Sequence, residues 1–190
     1  GVGGFGIGAA TAESCASCLS LCGIGVNQDG RSSSLTAPNG PSQRQLIADV
    51  LRQSVGHSMR SIQMHGTGTA LGDPIEVGGI AAALPPPVTL TAGKSAWGHS
   101  EGRAGLKGLS SACAGIEGRW CASILHLCTM NAFVASVTSG PAPRERSTMA
   151  DDAASTSCGC SSFAFQGTNG HAAVASSHAA DAHASHLRTW

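Results

Sequence analysis

Residues 61–76, S-I-Q-M-H-G-T-G-T-A-L-G-D-P-I-E, constrain this chain more than any other stretch. Ile62 and Met64 alternate with polar neighbours at the strand period. A histidine follows, then a turn rich in glycine and threonine, then a helix start. Gly66 and Gly68 permit backbone angles and close approaches denied to other residues, so something is expected to lie against this loop. Asp73, Pro74 and Glu76 fit an N-cap, a first helical position and a capping-box acid. His65 then stands at a strand end, where open α/β sheets place ligands. By spacing alone, an ordinary turn with an incidental histidine fits the same residues equally well, because strand-loop-helix transitions are common.

The rest of the chain alternates in the same way and predicts an α/β fold. Residues 17–26 read as a strand with Leu19 and Leu21 on one face. After the N-Q-D-G turn, Pro41 suits a first helical turn, and Leu46, Ile47, Val50, Leu51 and Val55 supply a stripe to about residue 55. A helix from 74 carries Ile75, Val77, Ile80 and Leu84 before Pro85, Pro86 and Pro87 stop it. Residues 88–92 form a strand ending at Gly93. The G-K-S that follows is not a phosphate-binding loop, since Val88 stands where that pattern needs glycine. A helix over 102–117 turns Ala104, Leu106, Leu109, Ala112 and Cys113 inward. Residues 129–157 are polar and turn-rich, an irregular loop, and residues 172–175 make a closing strand. The domain occupies 17–176, between an unassigned Gly/Ala-rich start at 1–16 and a low-complexity tail at 177–190. The tail histidines His178, His183 and His186 read as solvated.

Composition excludes several classes. Charged residues are 12% and net charge is zero, so there is no electrostatic footprint for nucleic acid. No apolar run approaches the ~20 residues that span a bilayer. With 26 glycines, 4% aromatics and no tyrosine, the core is expected to be built of small side chains. Cys15 and Cys18 form a C-x-x-C, but Cys158 and Cys160 make a poor second pair for zinc. Buried, inert thiols in a reducing intracellular compartment, cytoplasm or plastid, are the expectation, with no metal.

H-G-T-G-T followed by G-D-P-I-E resembles the first histidine motif of the β-ketoacyl synthase family, in particular the ketosynthase domains of modular polyketide synthases. Three blocks agree in order: V-N-Q-D-G-R-S-S-S-L-T-A-P-N-G-P at 26–41, G-K-S-A-W-G-H-S-E at 93–101, and S-S-F-A-F-Q-G-T-N-G-H at 161–171. The resemblance implies a partial thiolase-like fold, a mixed sheet with helices on both faces, and covers the C-terminal half only. Residues 118–128 resemble the family's return to the sheet. The family's nucleophilic cysteine lies in the N-terminal half, and none of the eight cysteines here has its context.

The resemblance also implies an activity: decarboxylative condensation of acyl and malonyl thioesters in polyketide or fatty acid biosynthesis. His65 and His99 match the two histidines that aim Nε2–H groups at the enolate oxygen, and Lys94 matches the lysine that orients the second. Thr67 and Thr69 match the threonines that bond the phosphopantetheine amides, and Phe165 matches the phenylalanine that gates the acyl pocket. No cofactor is bound, since substrates ride on the phosphopantetheine of an acyl carrier protein. That carrier and the N-terminal ketosynthase half are the expected partners, in a homodimeric family. Ala96 replaces an expected Asn, leaving the orientation of His99 open. Ala164 and Gln166 replace small residues and are strained if their φ is positive. These departures favour an alternative, a catalytically inactive ketosynthase-like scaffold or interaction module.

Overall fold

In the computed structural model, residues 18–30, 37–137, 147–148 and 156–177 are described. The expectations for Cys15, for the start at 1–16 and for the tail histidines therefore lie outside the described residues. The main strands are β1 (Cys18–Gln28), β2 (Ser58–Gln63), β3 (Thr89–Thr91), β6 (Thr156–Phe163) and β7 (Thr168–Ser177). They form one mixed sheet in the order β1-β7-β6-β2-β3. The three strands β6, β2 and β3 run parallel, while β7 is antiparallel to both β6 and β1. The carboxyl ends of β6, β2 and β3, at Phe163, Gln63 and Thr91, therefore open on the same edge of the sheet.

Helices cover both faces. Helix α1 (Gly40–Gln53) begins at Asn39, whose side chain accepts from the Ser42 N–H, with proline in the first turn. Its stripe Leu46, Ile47 and Val50 packs with Met59, Ile62, Val77 and Ile80 into the larger core. Val55 was expected to extend that stripe. It lies beyond the end of the helix and is 82% exposed. Helix α2 (Gly72–Ala83) packs on α1, and Leu84 closes it against the prolines. On the opposite face, helix α4 (Ala104–Gly118) seats Ala112 and Ile116 on Cys158 and Val174. Small residues set these approaches: a Cβ at Gly23 would stand 2.7 Å from the Val50 carbonyl, and one at Gly108 would stand 2.9 Å from the Cys160 sulfur.

Several expectations are corrected. Leu19 and Leu21 do share a face of β1, both lying ahead of the register shift between Leu21 and Gly23, but only Leu19 packs on the smaller core, and Leu21 is 48% exposed. Leu106, expected inward on α4, is 53% exposed, because its side of the helix faces away from the sheet. Residues 118–128 do not rejoin the main sheet. Strand β4 (Trp120–Cys121) pairs with β5 (Ser147–Thr148) in a separate two-stranded sheet. The loop at 129–157 contains helix α5 (Ala132–Val137), which packs on α2. Neither Ala164 nor Gln166 is strained: Gly167 alone in that turn has a positive φ, of 87°.

Candidate active site

Each of the three parallel strands delivers one part of the site from its carboxyl end. Strand β2 runs through Met64 into His65. After β3 the chain enters the short helix α3 (Lys94–Trp97), bringing Lys94 and then His99. Strand β6 ends in Phe163. The His65 and His99 rings meet edge to face, with centroids 5.9 Å apart and planes at 82°. Phe163 lies 5.6 Å from the His65 ring.

The hydrogen bonds define the tautomers. His65 Nδ1 accepts from the Phe163 N–H at 3.2 Å. His99 Nδ1 accepts from the Glu101 N–H at 2.9 Å. A neutral imidazole that accepts at Nδ1 carries its proton on Nε2, so both rings present an Nε2–H donor. The Glu101 N–H is what orients His99 in the absence of an amide at Ala96.

Lys94 stands differently from the expectation. Its ammonium donates to the His65 carbonyl and lies 3.4 Å from His65 Nδ1, so it braces the first histidine, not the second. Burial lowers its pKa, opposed by Glu76, Cys160 and Asp73. Burial, with lesser contributions from Lys94 and His99, pushes the His65 pKa down to about 4. His65 is thus neutral at neutral pH, the form in which Nε2 is a donor while Nδ1 accepts.

The acids of D-P-I-E do not cap the helix. Helix α2 starts at Gly72, before Asp73, and its N-cap residue is Leu71, which makes no side-chain cap hydrogen bond. Both acids reach back to the loop. The fully buried Glu76 accepts from the His65 N–H at 2.7 Å and the Gly66 N–H at 2.9 Å, one through each oxygen. Asp73 accepts from the Gly68 N–H at 3.1 Å. Burial raises the pKa of both, Glu76 to about 7, against the lowering effect of these N–H groups. Gly66 and Gly68 have φ of 47° and 74°, which gives the glycines of this turn their reason. A Cβ at Gly66 would also press on Ala92 at 3.0 Å.

Thr67 and Thr69 are exposed on the same loop with hydroxyls 3.4 Å apart, and Thr69 Oγ1 accepts from the Gly72 N–H at 3.0 Å. Phe165 is not brought in: it is 79% exposed at the β6–β7 hairpin tip, and the phenylalanine beside His65 is Phe163. Sequence reasoning passed over Phe163, Glu101 and the anchoring role of Glu76. For Glu76 there was a signal, a glycine-bearing turn with free N–H groups ahead of a buried helical acid. Phe163 and Glu101 act through their backbones, which side-chain identity does not reveal. The thiols of Cys113, Cys121, Cys158 and Cys160 are all pushed up by burial, Cys158 to about 11 and Cys160 to about 12. Among the described residues no group of three or more His, Cys, Asp or Glu is placed to hold a metal ion.

A mixed sheet covered on both faces, with two histidines at the carboxyl ends of neighbouring parallel strands, defines a thiolase-like domain. The family model described as "Beta-ketoacyl synthase, C-terminal domain" matches residues 19–128, and the chain belongs to that family. Among similar proteins, the highly reducing polyketide synthase otaA of Aspergillus niger is 38% identical over 157 residues, covering 79% of this chain and 6% of that protein. A phenolphthiocerol/phthiocerol polyketide synthase of Mycobacterium tuberculosis is 36% identical over 158 residues, covering 80% of this chain and 10% of that one. Ketosynthase twelve of the bacillaene polyketide synthase of Bacillus amyloliquefaciens superposes with a TM-score of 0.75 at 28% identity, covering 82% of this chain and 29% of that structure. The module 6 ketosynthase of the Bacillus subtilis bacillaene synthase gives 0.72 at 26% identity, covering 83% and 30%. The chain thus spans a tenth or less of these synthases and about three tenths of the ketosynthase structures.

Proposed function

We propose that this chain supplies the histidine half of a polyketide-type ketosynthase, and that His65 and His99 stabilise the enolate formed when a malonyl thioester loses carbon dioxide. The observation that carries the reading is the pair of backbone N–H bonds to Nδ1, from Phe163 to His65 and from Glu101 to His99. As the malonyl C–C bond breaks, its electron pair passes to the thioester oxygen. Two fixed Nε2–H dipoles stabilise that charge without reorganising during the step. The lowered His65 pKa supports a neutral donor. Lys94 adds positive charge beside the His65 carbonyl, and the exposed hydroxyls of Thr67 and Thr69 suit the amides of a phosphopantetheine arm borne by an acyl carrier protein.

Condensation also needs a thiolate, and the four thiols raised by burial are poor candidates. We assign the nucleophile to the N-terminal ketosynthase half, which would cover Leu21, Ile24, Val26 and Leu106, all exposed here. The test is decarboxylation of malonyl-carrier protein by the chain, with His65→Ala as control. Carbon dioxide release well above that control supports the reading. Release equal to the control sinks it and leaves the inactive-scaffold alternative.

A further inference from the structure

The V-N-Q-D-G motif at 26–30 and the buried Asn169 have no place in the chemistry above, yet they meet beneath the β6–β7 hairpin. Asn169 is 1% exposed, and its Nδ2 donates to Asp29 Oδ1 at 2.7 Å and to Asn27 Oδ1 at 3.1 Å. The Asp29 N–H donates to the Gly167 carbonyl at 2.8 Å. The Asp29 carbonyl in turn accepts from Asn39 Nδ2 at 2.7 Å, and Asn39 caps α1. At Gly167 a Cβ would stand 3.1 Å from the Asp29 Cβ, so the hairpin turn sits directly on Asp29.

The register links this junction to the site. Asn169 pairs with Phe163 next to the turn, and the Phe163 N–H, on the side of β2, is the donor to His65 Nδ1. At 3.2 Å that bond is already at the long end for a hydrogen bond, so a shift of a few tenths of an ångström at the hairpin would break it. Lys94 Nζ, at 3.4 Å from Nδ1 and engaged with the His65 carbonyl, is too far to hold the ring by itself.

We propose that the Asp29–Asn169 hydrogen bond is a clasp that sets the position of the hairpin and, through the Phe163 N–H, the orientation and tautomer of His65. Asn169 and Asp29 are positioning residues: they touch no substrate and act through Phe163. The inference deepens the reading of His65 as an enolate-stabilising donor and rests on it for its functional meaning. Its test needs no substrate, so the two fail separately.

The experiment is nitrogen-edited NMR of the His65 ring and amide exchange at Phe163 in the full 190-residue chain. Three forms are compared: wild type, Asn169→Asp, and the swap Asp29→Asn with Asn169→Asp. Asn169→Asp sets two carboxylates against each other. It should add an Nδ1–H tautomer to the His65 signals and speed Phe163 exchange by about tenfold or more, as for loss of a hydrogen bond to a charged group. The swap restores the donor-acceptor pair between positions 29 and 169, though Asn27 Oδ1 loses its donor, and should move both readouts most of the way back to wild type. Wild-type signals in Asn169→Asp would overturn the proposal, as would a swap that keeps the altered signals. If Asn169→Asp alone fails to fold, the swap decides: recovery of fold and of near-wild-type signals supports the clasp, and failure of either overturns it.

Discussion

The Glu76 carboxylate is the smallest unit on which the site depends. Each of its oxygens satisfies one buried N–H of the histidine loop, at His65 and at Gly66. Glu76→Gln keeps the shape but offers only one accepting oxygen. One of those N–H groups is left opposite an NH2, at a cost of about 1–3 kcal/mol. Urea unfolding should report that loss, and an unchanged midpoint would mean the loop is held by something else. His65 gives a second residue-scale prediction. Its folded-state pKa of about 4 lies below its ordinary 6.5. The stability linked to it is present above pH 6.5 and lost as pH falls through about 4. His171, buried on β7 with Nδ1 3.0 Å from Ser161 Oγ, is likewise lowered to about 4 by burial and has the same sign. Glu76 has the opposite sign: its contribution is present below pH 4.5 and declines as pH rises through about 7. With two strongly lowered histidines against Glu76 and the more modestly raised Asp73, thermal stability should fall between pH 6.5 and 4, and His171→Gln should flatten that slope. A slope unchanged by His171→Gln would refute the assignment.

Among the elements, helix α1 on β1 is the contact with least tolerance. A side chain at Gly23 would meet the Val50 carbonyl at 2.7 Å and Ser54 Oγ at 2.8 Å, and backbone cannot swing aside as a side-chain end can. Gly23→Ala should therefore destabilise by about 1–3 kcal/mol through overpacking. Gly30→Ala meets no atom within 4 Å, though its φ of 64° makes it a strain control rather than a packing one. Elements with a clear period were legible in the sequence, including the stripe Leu46, Ile47 and Val50 and the strand through Ile62. Where the reading failed, a contact distant in sequence had overridden the local pattern. Asp73 and Glu76 follow a capping pattern, but two loop N–H groups claim Glu76 and a third claims Asp73. Helix α5 is six residues long, too short for a helical period to stand out from a polar loop.

At the scale of the molecule, the sheet has helices on both faces, yet apolar surface is left exposed at Leu21, Ile24 and Val26 on β1 and at Leu106 on α4. Such a surface, covered in the proposed complete domain, should make the isolated chain bind hydrophobic dye and self-associate. Leu106→Glu should reduce both without lowering the unfolding midpoint, because the side chain is already more than half exposed. A marked drop in that midpoint would show that Leu106 is packed within this chain. The histidine motifs were legible as positions, and His65, His99 and Lys94 do come together. Their hydrogen-bond partners were not, since two of the decisive donors are backbone groups from β6 and from the turn after α3.

The central claim is that His65 and His99 act on one oxygen, and a double-mutant cycle on malonyl decarboxylation tests it most directly. His65→Ala and His99→Ala should each lower the rate by about 10²–10³-fold, as for loss of one donor to a developing oxyanion. If both donors serve the same charge, the double variant should fall well short of the product of the single effects. Single variants within about threefold of wild type, or a double variant equal to the full product, would contradict the account.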